Sequence, residues 1–514
     1  MIDWSWELLT GDERAVLRRL AVYADGCALD AAEAVCAGDG VRPERVLDVL
    51  ARLVDRSLVV AADGRYRLLE SVAAYCAERL DEAGEAERTR RRHARYYTDL
   101  AAAAEEHLRG PGQQEWLRRL DAESANLRNA LDGLVRRGAA GSALRLVTAL
   151  VWYWFLRGRL GEARRALDLA LGTRGSATGA AGGDAGPDLD MDAGPGPDLD
   201  RDADADAVAG LRATAAAWRV GVELLVFDGT GPVSAERIRA VCDAVPAPLA
   251  RARARWFLGM VGSGFGDPSL SPELLAQALA AFRAHGDRWG TAAALAVRAS
   301  QAVTADPAAA GRDGERSLAL FRELDDRWGR AYAHMVLGTL AEITGDYARA
   351  AALHRDGLRT AEELRLWPEV AARLSLLGRL ALLAGDHAAA DAYHERARRL
   401  AAEQAHPRAE QFAEVGLGMA ARRRGDLDAA ERHLRGWLDW CRQWDGDPGT
   451  AFLLAELGFI AELRGDPATA LALHREGLAA ARAAGGPRAV ALALEGLAGA
   501  YALGGDPARA ARLL

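Results

Sequence analysis

The stretch Met335–Ala350, MVLGTLAEITGDYARA, decides the fold. Its Gly-Asp dipeptide recurs at Gly345, Gly385, Gly425, Gly465 and Gly505, 40 residues apart each time. Ala305-Asp306 stands one period earlier, and Gly266-Asp267 stands 39 residues before that. Seven residues ahead of these turns another glycine follows a leucine, at Gly259, Gly338, Gly378, Gly418 and Gly458. Five residues after each turn glycine comes Ala350, Ala390, Ala430, Ala470 or Ala510. A glycine that accepts the left-handed conformation ends one helix, and an aspartate caps the next. The pattern therefore predicts helix hairpins, with the Leu-Gly glycine admitting close approach of the second helix and the small alanine opposite it. One hairpin cannot bury its apolar stripe alone, so neighbours must stack into a solenoid.

Working outward, Ala143–Leu171 repeats the form with Gly158-Arg159 at its turn, and Leu211–Val245 is a weaker unit around Asp228-Gly229. Roughly nine units result. Leu337-Gly338, Gly345-Asp346-Tyr347 and Ala350 resemble the tetratricopeptide repeat (TPR), with a period near 40 in place of the usual 34.

The N-terminal segment reads differently. Thr10-Gly-Asp-Glu13 is a capping box opening a helix with Val16, Leu17, Leu20 and Ala21 on its apolar face. A second helix covers Ala31–Cys36, and a third runs from Pro43 to Asp55 with Val46, Leu47, Leu50 and Leu53 inward. Leu58–Val60 and Tyr66–Leu68 flank Asp63-Gly64 as a hairpin. Three helices and a hairpin make a winged helix. The fold class is thus mainly α: a winged helix (1–82), a helical connector (83–141), a first TPR-like hairpin (142–171), a disordered acidic Gly/Ala/Asp/Pro linker (172–207) and a TPR-like superhelical domain (208–514).

Charge limits the functions available. All 65 basic residues are arginine, so a Schiff-base or phosphate-loop lysine is excluded. Residues 1–82 hold ten Arg against sixteen acids, a poor balance for neutralising DNA phosphates. The third helix nonetheless carries Arg42, Arg45, Arg52 and Arg56, the candidate DNA contacts. The linker holds nine Asp and two Arg; Asp188, Asp190 and Asp192 lack the glycine and glutamate of a calcium loop. Cys27, Cys36, Cys76, Cys242 and Cys441 form no C-x-x-C pair, and together with the absence of an apolar signal core or membrane-length stretch they imply a reducing cytoplasm.

The strings LRRLAVYADGCALDAAEAVC (Leu17–Cys36), LVDRSLVV (Leu53–Val60), YRLLESVAAYCAERL (Tyr66–Leu80), RRHARYY (Arg91–Tyr97), LRGPGQQEWLRRLDAESANLRNAL (Leu108–Leu131) and WYWFLRGRLGEARRAL (Trp152–Leu167), in that order, resemble the C-terminal half of AfsR/SARP-like transcriptional regulators of the STAND class, related in layout to MalT/LuxR-type activators. The resemblance implies a winged helix that docks a nucleotide-binding domain and a repeat sensor that responds to a signal. No G-x-x-x-x-G-K-[ST] occurs, so no nucleotide cofactor is carried over. The implied partner is a protein or peptide, including a separate nucleotide-binding regulator subunit. A stand-alone sensor half, a split partner and a truncated reading frame all remain open.

Placing the repeat glycine at its tetratricopeptide position assigns Trp256, Met260, Tyr332, Met335, Arg379, Phe412, Met419, Arg422, Phe452 and Phe459 to a concave groove for a peptide or an apolar small molecule. The alternative is that the longer helices turn these residues into the core. Trp289, Trp328 and Trp367, 39 apart, and the stripe Trp437, Trp440 and Trp444 read as core between repeats. His354, His394 and His474 share phase, with His433 one residue off. Like positions in stacked hairpins lie about 8–10 Å apart, too far to converge on one metal ion. No metal, cofactor or catalytic set is expected, and the reading is a non-enzymatic sensor that controls transcription. The alternative is a stand-alone DNA-binding regulator acting through the winged helix.

Overall fold

The computed structural model describes residues 2–173, 205–226, 233–262, 269–404, 406–442, 448–484 and 487–513. The turns at Asp228-Gly229 and Gly266-Asp267, the aspartates at 188–192 and Trp444 lie outside them. The chain forms two compact units, Met1–Tyr153 with Gly161–Arg219, and Trp154–Leu160 with Val220–Leu514.

The first unit opens with α1 (Ile2–Glu7), α2 (Gly11–Arg19), β1 (Cys27–Ala28), α3 (Leu29–Cys36), α4 (Pro43–Asp55), β2 (Val60–Ala62), β3 (Arg65–Arg67) and α5 (Glu70–Glu82). The capping box closes as expected: the Glu13 amide donates to Thr10 Oγ1 at 3.4 Å, and the Thr10 amide donates to Glu13 Oε2 at 2.9 Å. Pro43 begins α4. Asp63 and Gly64 both have positive φ (52° and 72°), the two-residue turn that suits a right-twisted hairpin. The sheet is antiparallel in the order β1-β3-β2. Two readings are corrected. Leu47 is 44% exposed, and Val49 takes the inward place beside Val46, Leu50 and Leu53. The hairpin starts at Val60, because Leu58 and Val59 turn into the core. The two-residue β1 is too short to leave a periodic signal.

Two of the resemblance strings, Arg91–Tyr97 and Leu108–Leu131, fall in α6 (Ala86–His107), α7 (Gln113–Ala122) and α8 (Ser124–Arg136), and polar residues of these helices clamp the winged helix. Asn126 accepts from the Ala24 amide and donates to the Gly26 carbonyl, each at 2.9 Å, while Asn129 donates to the Val22 carbonyl at 2.9 Å. Glu123, which is buried, accepts from Tyr97 Oη at 2.7 Å, from Asn126 at 2.8 Å and from Arg65 of β3. On the other side, fully buried Arg19 donates to Glu85 at 2.9 and 3.0 Å and to the Cys36 and Gly38 carbonyls at 2.8 Å. Burial favours the neutral acid at Glu85, but hydrogen bonds from Arg18 and Arg19 outweigh it and hold the carboxyl at about 2.

In the second unit helix hairpins stack in chain order: Arg288–Ala302 with Pro307–Glu323, Arg327–Ile343 with Tyr347–Leu364, Trp367–Leu383 with His387–Glu403, Pro407–Arg424 with Leu427–Cys441, Pro448–Leu463 with Pro467–Ala483, and Pro487–Leu503 with Pro507–Ala511. All five turn glycines have φ between 75° and 85°. Asp346, Asp386, Asp426, Asp466 and Asp506 each cap the following helix by accepting from the amide three residues on. Ala350, Ala390, Ala430 and Ala470 are fully buried. The partner of the Leu-Gly glycine, however, is not this alanine. A Cβ on Gly338 or Gly378 would lie 2.6 Å from the imidazole of His354 or His394, and one on Gly418 would lie 2.9 Å from Leu434. The absent side chain makes room for a large residue sixteen positions later. None of the five cysteines is in a disulfide. Among the described residues no helix is long and apolar enough to cross a membrane.

Candidate functional site

A cavity of about 640 Å³ opens within the second unit. The helix Trp367–Leu383 supplies Pro368 at its start and then Glu369, Ala372, Ser375, Arg379 and Leu382, which are spaced three or four apart and so on one face. The helix Pro407–Arg424 supplies Ala409, Phe412, Val415, Gly416 and Met419. Phe452 and Leu453 come from the next hairpin, Trp440 and His394 from second helices, and Phe155, Leu156 and Leu160 from the Trp154–Leu160 segment of this unit. The wall is mainly aromatic and aliphatic, the composition of a small-molecule or peptide pocket.

Four of the ten positions placed in a groove from the sequence line this cavity: Arg379, Phe412, Met419 and Phe452. The other six lie elsewhere. Trp256 is buried, with its ring 5.2 Å from Trp289, which stacks on Trp328 at 6.0 Å. Tyr332 stacks on the far face of this group at 5.4 Å from Trp328. Met260 and Met335 are half-buried. Arg422 pairs with Glu456 at 2.9 Å and lies over the Phe459 ring at 5.4 Å. Trp289 and Trp328 are core, whereas Trp367 is half-buried. Trp437 and Trp440 pack together at 5.7 Å, with Trp440 reaching the cavity.

Apart from Arg379, the polar groups of the wall were not legible in advance. The His394 imidazole is sandwiched between the Gly378 and Gly416 backbones, 2% exposed, and neither ring nitrogen has a hydrogen-bonding partner among the described residues. Burial pushes it down to about 4, so the ring is neutral near pH 7. Ser375 is 1% exposed and its hydroxyl is likewise unpartnered. Arg379 is neutralised by Glu342 at 2.7 Å. Glu369 faces the cavity beside fully buried Arg373 at 3.8 Å, and burial raises the acid and lowers the base. Arg373 occupies the space left by Gly357 and donates to the Ala331 carbonyl at 2.5 Å. The phased signal for His394 was its place sixteen residues after a Leu-Gly glycine, but phase alone does not reveal an open wall. Among the described residues no cluster of three or more His, Cys, Asp or Glu is placed to hold a metal ion.

The arginines of α4 are mostly engaged. Arg45 pairs with Asp12 at 3.3 Å, Arg52 with Glu13 at 2.8 Å, and Arg56 reaches Glu13 at 4.0 Å and the Leu8 carbonyl at 3.2 Å. Arg42 is exposed. On the wing, Arg65 is tied to Glu123 and Arg67 lies 3.7 Å from Asp25.

Residues 9–81 match the model of a winged helix-turn-helix domain, and residues 411–483 match that of the tetratricopeptide repeat. The chain joins a winged helix-turn-helix domain to tetratricopeptide repeats. A Mycobacterium tuberculosis protein provisionally named as an HTH-type transcriptional regulator is 44% identical over 168 residues, 31% of this chain and 18% of that protein. An uncharacterized protein of the same organism is 44% identical over 100 residues, 18% of this chain and 25% of its own length. The chain thus spans a quarter or less of the curated relatives it matches. A solved STAND protein with a tetratricopeptide repeat sensor, from Pyrococcus horikoshii, aligns at TM-score 0.49 and 12% identity over 93% of this chain and 64% of its own.

Proposed function

We propose that the protein is a non-enzymatic regulator of transcription of the AfsR/SARP-like, STAND-class kind, in which the repeats bind a ligand and the winged helix transmits the bound state to a partner protein. The observation that carries this reading is the convergence of Arg379, Phe412, Met419 and Phe452 on one cavity between successive repeats. The name of the mycobacterial relative supports a role in transcription. The clamp of Asn126, Asn129 and Glu123 supports a winged helix that works as a rigid docking body with α6–α8. A separate nucleotide-binding subunit is the partner this reading favours.

The second reading, direct DNA recognition through Arg42, Arg45, Arg52 and Arg56, is disfavoured by the carboxylates that already face three of the four. Arginines committed to acids within the domain must break those pairs before they neutralise phosphate. The test is transcript profiling of cells carrying Ala409→Trp, which fills the cavity from a half-buried wall position. The expected profile matches that of a deletion; an unchanged profile from a folded variant would refute the sensor reading.

A further inference from the structure

The wall of the cavity has a distinctive charge balance. Arg379 on the wall is paired with Glu342 at 2.7 Å, and Glu369 has buried Arg373 beside it at 3.8 Å. Both charged side chains named here thus have an opposite charge beside them, and an anionic or cationic ligand would lose its hydration on entry. Three wall residues carry buried hydrogen-bonding atoms without a partner among the described residues: Ser375 at Oγ, His394 at both ring nitrogens, and Arg379 at Nε, whose charge is already met by Glu342. Buried polar atoms are rarely left without a partner, and those that stand at a cavity wall are placed to take one from an occupant. His474 holds the corresponding place two repeats of helix pairs on, and its Nε2 is satisfied by Glu462 at 2.7 Å. The volume, about 640 Å³, suits a compact organic molecule.

We propose that this cavity takes an uncharged, mainly apolar small molecule whose hydroxyl or carbonyl groups meet Ser375 and His394. The inference rests on the repeats being a ligand-binding unit and names the ligand class. The neutral imidazole serves as both donor and acceptor, the serine hydroxyl likewise, and the aromatic wall covers the rest of the ligand.

The test uses the full chain and two fluorophores of one skeleton: neutral N-phenyl-1-naphthylamine and its sulfonate, 1-anilinonaphthalene-8-sulfonate. The neutral probe is expected to saturate at one per chain and to bind at least about tenfold more tightly than the sulfonate, given the cost of burying an unpaired charge. Ala409→Trp, with Ala372→Trp as a second cavity-filling variant should the first fail to fold, abolishes that binding. Displacement of the neutral probe by 4-phenylphenol and by biphenyl then reads the polar anchors. The phenol is expected to win by about three- to tenfold, the range of one net hydrogen bond. That preference disappears in Ser375→Ala/His394→Leu and persists in His354→Leu, whose histidine is buried and unpartnered too but does not line the cavity. Equal or tighter binding of the sulfonate, blocked by Ala409→Trp, would overturn the ligand class while leaving the sensor reading intact. No cavity-dependent binding of either probe to folded protein would overturn the ligand class here and also count against the sensor reading. A phenol preference that survives the double variant would overturn the two anchors.

Discussion

Glu85→Gln should loosen the junction between the winged helix and α6 by a calculable amount. In the folded chain Arg18 and Arg19 hold the Glu85 carboxyl at about 2, against an ordinary value of 4.5. At about 1.36 kcal/mol per pH unit, that difference corresponds to about 3 kcal/mol of stability near neutrality. The folded value is depressed, so this contribution is complete above pH 4.5 and is lost as pH falls from there through 2. The amide of glutamine keeps the shape but leaves the guanidinium of Arg19, fully buried, with Asp39 at 3.5 Å as its one paired carboxylate among the described residues. Removing one member of a buried pair typically costs about 3–5 kcal/mol, in agreement with the linkage value. Native-state hydrogen exchange followed by mass spectrometry reports the effect locally: peptides spanning α2 and α3 should exchange roughly a hundredfold faster at pH 7, and the difference from the parent should shrink below pH 4. A change of less than threefold at neutral pH, or a difference that grows on acidification, would refute the argument.

Four further outcomes follow from the same geometry. Gly378→Ala should lower stability by about 1–3 kcal/mol because its Cβ would lie 2.6 Å from the His394 ring; in a double-mutant cycle with His394→Ala, read by urea unfolding, most of that cost should vanish. Asp386→Ala should cost about 1 kcal/mol through loss of the bond to the Ala389 amide, seen as a lower Tm, whereas Asp386→Asn should be close to neutral. Burial holds His354 at about 3 and His394 at about 4, below the 6.5 of an exposed ring, so the unfolded chain binds more protons in between. The repeats should therefore be most stable above pH 6.5 and lose stability towards pH 4, with His394→Leu flattening its share of a denaturation-versus-pH series. The full chain should give no salt-sensitive shift of duplex DNA at 50 mM salt and micromolar protein, and a retarded band lost on Arg42→Ala would reverse the ranking of the two readings.

The sequence by itself determined the elements and their punctuation. Gly-Asp turns specify a left-handed residue followed by an N-cap whatever surrounds them, and the turn glycines with Asp346, Asp386, Asp426, Asp466 and Asp506 do both. Thr10 and Glu13 needed only each other, and Asp63-Gly64 only its own backbone preference. Local rules of this kind act over a few residues, so they survive without tertiary knowledge. Faces were harder to assign. Leu47 and Val49 differ by two positions on an amphipathic helix, and which of them points inward depends on the helix against which α4 packs.

Tertiary structure alone decided which wall residues meet and which polar atoms are left unmatched. Arg379, Phe412, Met419 and Phe452 come from three successive first helices, and their convergence depends on the rotation between hairpins. Tyr332 holds the repeat position of Phe412 and Phe452, six before the Leu-Gly glycine, yet stacks on Trp328 instead of lining the cavity. His354, His394 and His474 are alike in phase, but only His474 finds a carboxylate and only His394 of the three faces the cavity. Periodicity is a one-dimensional property that fixes how a helix is built, whereas a binding wall is the sum of small packing angles between helices, set by the bulk of side chains such as His394 against Gly378 and Gly416.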